Sequence, residues 1–273
     1  MNARMPVLLV NASLFIVGLL VAAPLLWMLS VSLMVPGEAN HYPPPLLPAA
    51  PTLENYRALF AQAGMGRYLL NSALVAAAAT ALSLTFNVAA GYAFAKLRFA
   101  GRERVFRILL GALVVPAQVA MMPLFLMMKH MGLVNTYGGV LVPFLAGVFG
   151  IFLVRQYALS IPDELIEAAR IDGAGELRIF VEIVLPVLRP ILVTLAIFSF
   201  LGAWNDFMWP LIVLTDSSMY TLPVALAAMS REHVQDNEMM MAGAVLTVLP
   251  VLALFIVAQK HYIAGLLMGS TKG

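Results

Sequence analysis

The residues best able to do chemistry gather in one polar stretch, Ser160-Ile-Pro-Asp-Glu-Leu-Ile-Glu-Ala-Ala-Arg-Ile-Asp-Gly-Ala-Gly-Glu-Leu-Arg-Ile-Phe-Val-Glu-Ile-Val-Leu-Pro186. It holds six of the 14 acidic residues (Asp163, Glu164, Glu167, Asp172, Glu176 and Glu182), against Arg170 and Arg178. Carboxylates at this density suit docking through charge and hydrogen bonds. Helices that lie on lipid usually put Lys and Arg on their polar face instead. Catalytic chemistry finds no such foothold. There is no cysteine, which excludes disulfide frameworks, zinc ribbons and thiol catalysis. No H-E-x-x-H or G-x-S-x-G occurs on an apolar run, and no G-x-x-x-x-G-K-[ST] loop is present to cradle nucleotide phosphates. His130 and His233 are single histidines without metal-ligand companions at useful spacing.

The stretch reads as folded. Ser160 and Asp163 are spaced like a capping box, Pro162 suits a first helical turn, and Asp163 and Glu164 complement the helix dipole. Gly173 is placed to end that helix in a left-handed conformation that glycine adopts without strain. A second short helix runs from Gly175 to about Ile183, and Pro186 punctuates the entry to the next apolar run. On the first helix Leu165, Ala168, Ala169 and Asp172 share a face, and the small alanines admit a close neighbour. That face serves either as a docking element for another protein or as packing against the chain's own helices.

The elements that position this stretch follow from composition. Of the 273 residues 62% are apolar and 11% charged, with a mean hydropathy of +0.92. A soluble domain has roughly half and a quarter. Too few charges remain to coat a water-facing surface, and a net charge of +2 gives no field suited to nucleic acid. The chain is an all-α integral membrane protein. Taking about 20 apolar residues per crossing, six spans are expected, at about 7–35, 68–95, 105–128, 138–154, 188–214 and 240–259. The polar stretch is then the connection 160–187 between spans four and five. The first apolar run is too long for a secretory signal and lacks an A-x-A-like site. Residues 42–51 form a Pro-rich linker, no internal repeat is present, and 1–273 reads as a single domain.

Orientation follows from Lys and Arg placement. With the N-terminus inside, Arg4, Lys96, Arg98, Arg102, Arg104, Arg107, Arg155, Arg170, Arg178, Arg189, Lys260 and Lys272 fall inside; Arg57, Arg67, Lys129 and Arg231 fall outside. Twelve of the 16 basic residues against four put both termini and the polar stretch in the cytoplasm. Trp27, Trp204 and Trp209 then lie near outer helix ends, as in an aromatic belt.

At Glu167-Ala168-Ala169, then Gly173, then Ile183-Val-Leu185-Pro186, the chain resembles the permease subunits of binding-protein-dependent ABC importers, whose EAA signature has that spacing. It is similar in particular to sugar-importer permeases of the maltose and glycerol-phosphate type. Asp172-Gly173-Ala174, Pro51-Thr-Leu-Glu-Asn-Tyr56, Gly132-Leu-Val-Asn-Thr136, Trp204-Asn-Asp-Phe207 with Trp209-Pro210, and the tail from Gly265 to Lys272-Gly273 carry that likeness. The resemblance runs from Pro51 to the end, and span one matches in character only. It implies a type I ABC importer permease fold in a bacterial inner membrane, with a coupling helix in the loop between spans four and five.

By the same resemblance, Glu167 contacts a cytoplasmic ATPase, Ala168 and Ala169 permit the close fit, and Gly173 holds the turn. Asp172, Ile183, Leu185 and Pro186 complete the coupling set, and Gly269–Gly273 reaches the ATPase interface. The implied partners are a second permease subunit, a dimer of ATPase subunits and an external solute-binding protein, within a lipid bilayer. No cofactor is expected on this chain, ATP and magnesium belonging to the ATPase. The competing reading is a self-contained secondary transporter or channel. It gives no reason for an acidic folded loop and usually shows internal repeats or buried ionisable pairs.

A sugar crossing the bilayer needs side-chain partners for its hydroxyls. Counting helical rise from the nearest inner basic residue, Asn87, Gln118 and Ser199 lie about 13, 16 and 15 Å deep, close to the midplane. With Asn205 they are the candidate pathway residues, against the reading that they only hydrogen-bond between helices. Pro116 and Pro123 flank Gln118 and are positioned to kink span three. Asp206, about 26 Å above Arg189, is as well read as a capped interfacial carboxylate as a gate. The loop from Asp216 to Glu238 faces an external binding protein in the resembling family.

The topology is directly testable, because the chain has no native cysteine. Ala174→Cys is expected to resist a membrane-impermeant thiol reagent in intact cells and to react in inside-out vesicles, and Asp236→Cys to do the reverse. Equal labelling of both from outside would refute it.

Overall fold

The structure is a computed structural model describing residues 4–232 and 236–268. Among these, no strand forms. In chain order the helices are α1 (Arg4–Ser32), α2 (Glu54–Ala61), α3 (Met65–Lys96), α4 (Arg102–Ala112), α5 (Ala117–His130), α6 (Tyr137–Leu141), α7 (Val148–Ala158), α8 (Asp163–Ile171), α9 (Glu176–Ile179), α10 (Leu185–Trp204), α11 (Met208–Val213), α12 (Leu222–Glu232) and α13 (Asn237–Met268). By its contacts the chain divides into two units: Met1–Gly66 with Ala225–Pro250, and Arg67–Val224 with Val251–Gly273.

Among the described residues, five stretches are long and apolar enough to cross a bilayer: Val10–Ser32, Met65–Lys96, Tyr137–Ala158, Glu176–Trp204 and Asn237–Gln259. The expected third span differs. It is two helices, α4 and α5, bent by 107° at a short break, and the total reaches six when the pair counts as one span. Pro116 causes the break: it stands just before α5 with an extended ψ of 132°, and it disfavours helical geometry at the residue before it. Pro123 lies inside an unbroken α5. The expected fourth span is also compound, α6 and one 3-10 turn leading into α7, and it runs on to Ala158. The fifth ends as a helix at Trp204, with α11 a separate short element.

In the first unit, the end of α1 is sealed by the motif at Pro51–Tyr56. The last carbonyls of a helix have no partner within it. Here the Asn55 amide donates to the Ser32 and Met34 carbonyls at 3.0 and 2.8 Å, and the Thr52 N–H to Leu33 at 2.8 Å. The Tyr56 hydroxyl lies 2.8 Å from Ser32 Oγ. Buried Glu238, at the start of α13, accepts from the Ala39 N–H at 2.7 Å. The body of α1 is almost wholly exposed and apolar, as suits a lipid-facing helix.

In the second unit, hydrophobic clusters form at opposite ends of α3. Val75 packs with Met128, Val140, Trp209 and Val213. Val88, Tyr92 and Ala95 pack with residues of α7, α8 and α10. Trp204 and Trp209 are buried, so they are core residues and not members of a lipid-facing belt. Trp204 stacks on Phe200 and the Trp209 indole N–H donates to the Gly139 carbonyl at 3.1 Å.

Asn55→Ala removes both side-chain caps from α1 and leaves buried carbonyls unpaired, a loss of about 1–3 kcal/mol. Its expected signature is a lower unfolding midpoint in detergent with the helix content of the folded protein unchanged. An unaltered midpoint would show that water replaces the amide.

Candidate functional site

The acidic stretch folds as a helix, a glycine turn and a second helix that merges with a span. Arg170 and Ala169 supply the carbonyls that close α8: the Gly173 N–H donates to Arg170 at 3.0 Å and the Ala174 N–H to Ala169 at 2.9 Å. This double closure with a left-handed third residue is the Schellman arrangement, and Gly173 has φ 81°. The second helix is not isolated. α9 continues through one π turn, Phe180–Val184, directly into α10, with Pro186 inside its first turn. Ile183 and Leu185 are therefore half-buried members of one continuous helical run into the candidate span, and Pro186 is exposed beside them.

The N-terminus of α8 corrects the expected capping box. Ser160 Oγ donates back to the Tyr157 carbonyl, and Pro162 stands before the helix with no side-chain cap. Asp163 is engaged elsewhere. Lys96, the last residue of α3 and only 7% exposed, places its Nζ 2.5 Å from Asp163 Oδ1 and 2.6 Å from the Ile161 carbonyl. The lysine's hydrogen bond and charge lower the Asp163 pKa below the ordinary carboxylate range. At the other end Arg170 Nε donates to Glu176 at 2.7 Å, and the Tyr92 hydroxyl to the same carboxylate at 3.3 Å.

The faces of α8 are sharply divided. Ile166 is 3% exposed and half-buried Ala169 packs in the same cluster, against side chains of α3, α7 and α10. Glu164, Leu165, Glu167, Ala168 and Asp172 face open space, as does Ile171 at 86% exposure. Leu177 on α9 is 76% exposed. The arrangement is a platform anchored on one side, offering carboxylates, a small alanine and three large aliphatic side chains on the other.

The polar groups within the spans are distributed differently. Asn87 is 1% exposed, its Oδ1 accepting from the Gly147 N–H at 3.0 Å and its Nδ2 donating to Ser83 at 2.8 Å. Half-buried Ser199 donates to Ser83 at 2.8 Å. These three form one chain joining α3, α7 and α10. Gln118 and Asn205 are exposed, the latter with its amide on the Leu201 carbonyl. Asp206 accepts from the Trp209 N–H at 3.3 Å and so caps α11. Glycines of the second and fourth spans permit the close α3–α7 seam. A Cβ at Gly150 would stand 3.0 Å from Asn87 Nδ2, and one at Gly91 2.6 Å from Val154 Cβ.

At the opposite end of α3, Asn135 (φ 58°) accepts from the Thr215 and Asp216 N–H groups, and Thr136 caps α6. Sequence reasoning did not find Lys96, Ile166 or Tyr92, which join the loop to the spans. The available signal was a lysine closing a span within reach of an acidic loop. The expected tail contact Gly269–Gly273, and His233 and Gln235 of the outer loop, lie outside the described residues.

Residues 87–266 match a family described as binding-protein-dependent transport system inner membrane component. The arabinooligosaccharides transport system permease protein of Halalkalibacterium halodurans is 40% identical over 227 residues, covering 83% of this chain and 81% of that protein. The lactose transport system permease protein of Rhizobium radiobacter is 31% identical over 277 residues, covering 100% and 98%. Among solved structures, a bacterial ABC transporter involved in import of the acidic polysaccharide alginate superposes with a TM-score of 0.83 at 26% identity, over 95% of this chain and 98% of that one.

Lys96→Met is expected to loosen α8. Because Asp163 titrates below its unfolded value, the tie contributes fully above the ordinary carboxylate pKa of about 3.9 and is lost as pH falls through the lowered one. Hydrogen exchange of residues 161–172 reads this: the wild type loses protection on acidification, and the variant exchanges faster at neutral pH with little further change.

Proposed function

We propose, from the premise that this chain belongs to the family of binding-protein-dependent transport system inner membrane components, that it is the translocation subunit of an ATP-driven importer for a carbohydrate or sugar-like solute. Its relatives are transport permeases, and it carries out no catalysis of its own. ATP and magnesium are held by a separate ATPase dimer on the cytoplasmic side, where α8 and both termini lie. A second permease subunit completes the pathway, and a solute-binding protein delivers from outside the bacterial inner membrane.

The observation that carries this reading is the construction of α8. Its open face, with Glu167, Ala168, Asp172 and Ile171, is left for a partner, while Ile166 and Ala169 root it in a cluster shared with three membrane helices. Force applied to the open face passes through packed side chains into α3, α7 and α10. Gly173 supports the same role. A Cβ there meets nothing within 4 Å, so the glycine serves the backbone conformation, worth about 1–2 kcal/mol against other residues. Ile183, Leu185 and Pro186 act as the stiff connection between loop and span. The carbohydrate assignment follows the relatives named for arabinooligosaccharides and lactose. Uncharged Gln118, Asn205 and Ser199 suit a hydroxylated solute, and Asn87 holds the seam that Ser199 joins through Ser83.

The test is reconstitution with the ATPase, the second permease and the binding protein. Gly173→Val is expected to leave the assembled complex and its basal ATP hydrolysis intact while uptake falls about tenfold or more, the turn having lost its positive φ. Uptake at the wild-type rate in that variant, or solute movement by the purified chain alone without nucleotide, would overturn the proposal.

A further inference from the structure

A cleft of about 1140 Å³ opens beside α8, walled by the α3–α4 connection and the first turn of α4. Six of its side chains are cationic (Lys96, Arg98, Arg102, Arg104, Arg107 and Arg170) against Glu103, Asp163 and Glu167. Two of those carboxylates are already engaged. Asp163 is held by Lys96, and Glu103 is shared between Arg102 at 3.3 Å and Arg155 at 3.1 Å. Exposed Arg98 and Arg104 form no ion pair among the described residues, and Arg107 reaches only the Glu103 carbonyl at 3.3 Å.

The backbone adds to this excess. Gly101, with φ 81°, precedes an 11-residue α4 whose first turn has no side-chain cap. Its leading N–H groups and the positive end of its dipole therefore point out of the helix beside the arginines. α4 also exposes aliphatic side chains beside its arginines, Ile108 standing one turn after Arg104. Val105 and Ile108 are exposed, 67% for Ile108, while Phe106 is buried with the Arg155 guanidinium 4.0 Å from its ring centre. At about 16 Å long α4 is too short to cross a bilayer, and its 107° bend from α5 keeps the two from forming a straight span. Arginines and aliphatics exposed side by side set a cationic surface against an apolar one, as an amphiphile with an anionic headgroup requires.

We propose that this cleft binds the headgroup of an anionic phospholipid. The phosphodiester lies among Arg98, Arg104, Arg107 and the first-turn amides of α4, with acyl chains along Val105 and Ile108. Basic pockets between membrane helices bind such headgroups, and the aliphatic surface beside the arginines fits an amphiphile better than a free anion or an acidic protein. The site rests on the importer reading only for its leaflet, which that reading makes cytoplasmic.

Native mass spectrometry of the full chain reads the site, using phosphatidylglycerol and phosphatidylcholine with the same acyl chains, and inorganic phosphate as competitor. The wild type is expected to retain one phosphatidylglycerol about tenfold or more over phosphatidylcholine. Arg98→Gln/Arg104→Gln/Arg107→Gln loses that preference by about ten- to a hundredfold, and the triple Lys variant, keeping the charges, retains most of it. Should the triple Gln protein not stay monodisperse, Arg104→Gln alone, on the exposed first turn, is expected to lower the preference several-fold. Equal retention of the two lipids, an undiminished preference in the Gln variants, or displacement by millimolar phosphate overturns the proposal. So does a triple Gln variant that keeps its lipid but no longer co-purifies with the ATPase, which would assign the arginines to a protein contact. Gly173→Val is expected to bind lipid normally, so failure of the coupling reading and of this one are separable.

Discussion

A nine-residue helix bearing Asp163, Glu164 and Glu167 is too short to be stable by itself in water, where isolated helices shorter than about 12–15 residues are marginal. It persists because Ile166 is buried, worth about 1.5–3 kcal/mol, and because Ala169 is small enough to follow it into the same cluster. Lys96 adds direction by holding both Asp163 and the Ile161 carbonyl, so the start of α8 is fixed to the end of α3. The Gly173 closure then returns the chain into α9 and, without a break, into α10. Position and orientation of the open face are consequences of these few contacts.

The same helices are bound to one another more deeply in the second unit. Gly91, Gly147 and Gly150 leave no room for a Cβ without displacing Val154, Asn87 or Leu195, so α3 and α7 are in near-backbone contact, as small residues permit between membrane helices. Asn87 bridges that seam and, through Ser83 and Ser199, reaches α10. Close-packed contacts of this kind transmit displacement instead of absorbing it. Helices α3, α7 and α10 accordingly form one stiff body, with α8 attached to its end.

How far the sequence reveals the structure depends on whether the determining contact is local. Gly173 is legible because a helix terminus with glycine after it dictates φ > 0 by itself. The acidic stretch is legible as folded for the same reason. Pro116 is legible only in part, because proline removes a helical hydrogen bond at its own position, yet Pro123 sits in an unbroken α5. The capping box misleads because Ser160 and Asp163 have the right spacing, yet a lysine 67 positions away binds the carboxylate more strongly than an amide would. The depth of Asn87 is computable from helical rise, but whether its amide is free depends on Gly147 and Ser83 facing it. Hydropathy places Trp204 and Trp209 near helix ends and says nothing of whether an indole faces lipid or core. The role of Asn55 as a cap for α1 depends on where the chain returns after a Pro-rich linker.

For a solute pathway the two classes of polar residue have different consequences. The Asn87 amide donates and accepts at the seam already, so presenting it to a sugar means breaking its bonds to Gly147 and Ser83 and separating glycine-packed backbones. Each buried group left unpaired in that step costs about 1–3 kcal/mol. Gln118 carries no such restraint: it is exposed, and it sits two residues past the Pro116 break between α4 and α5. A bundle built this way changes shape most cheaply where the backbone ladder is already interrupted. In the proposed pathway, the α3–α7–α10 body moves as a whole with α8, and the α4–α5 pair, interrupted at Pro116, is the element that can yield to it.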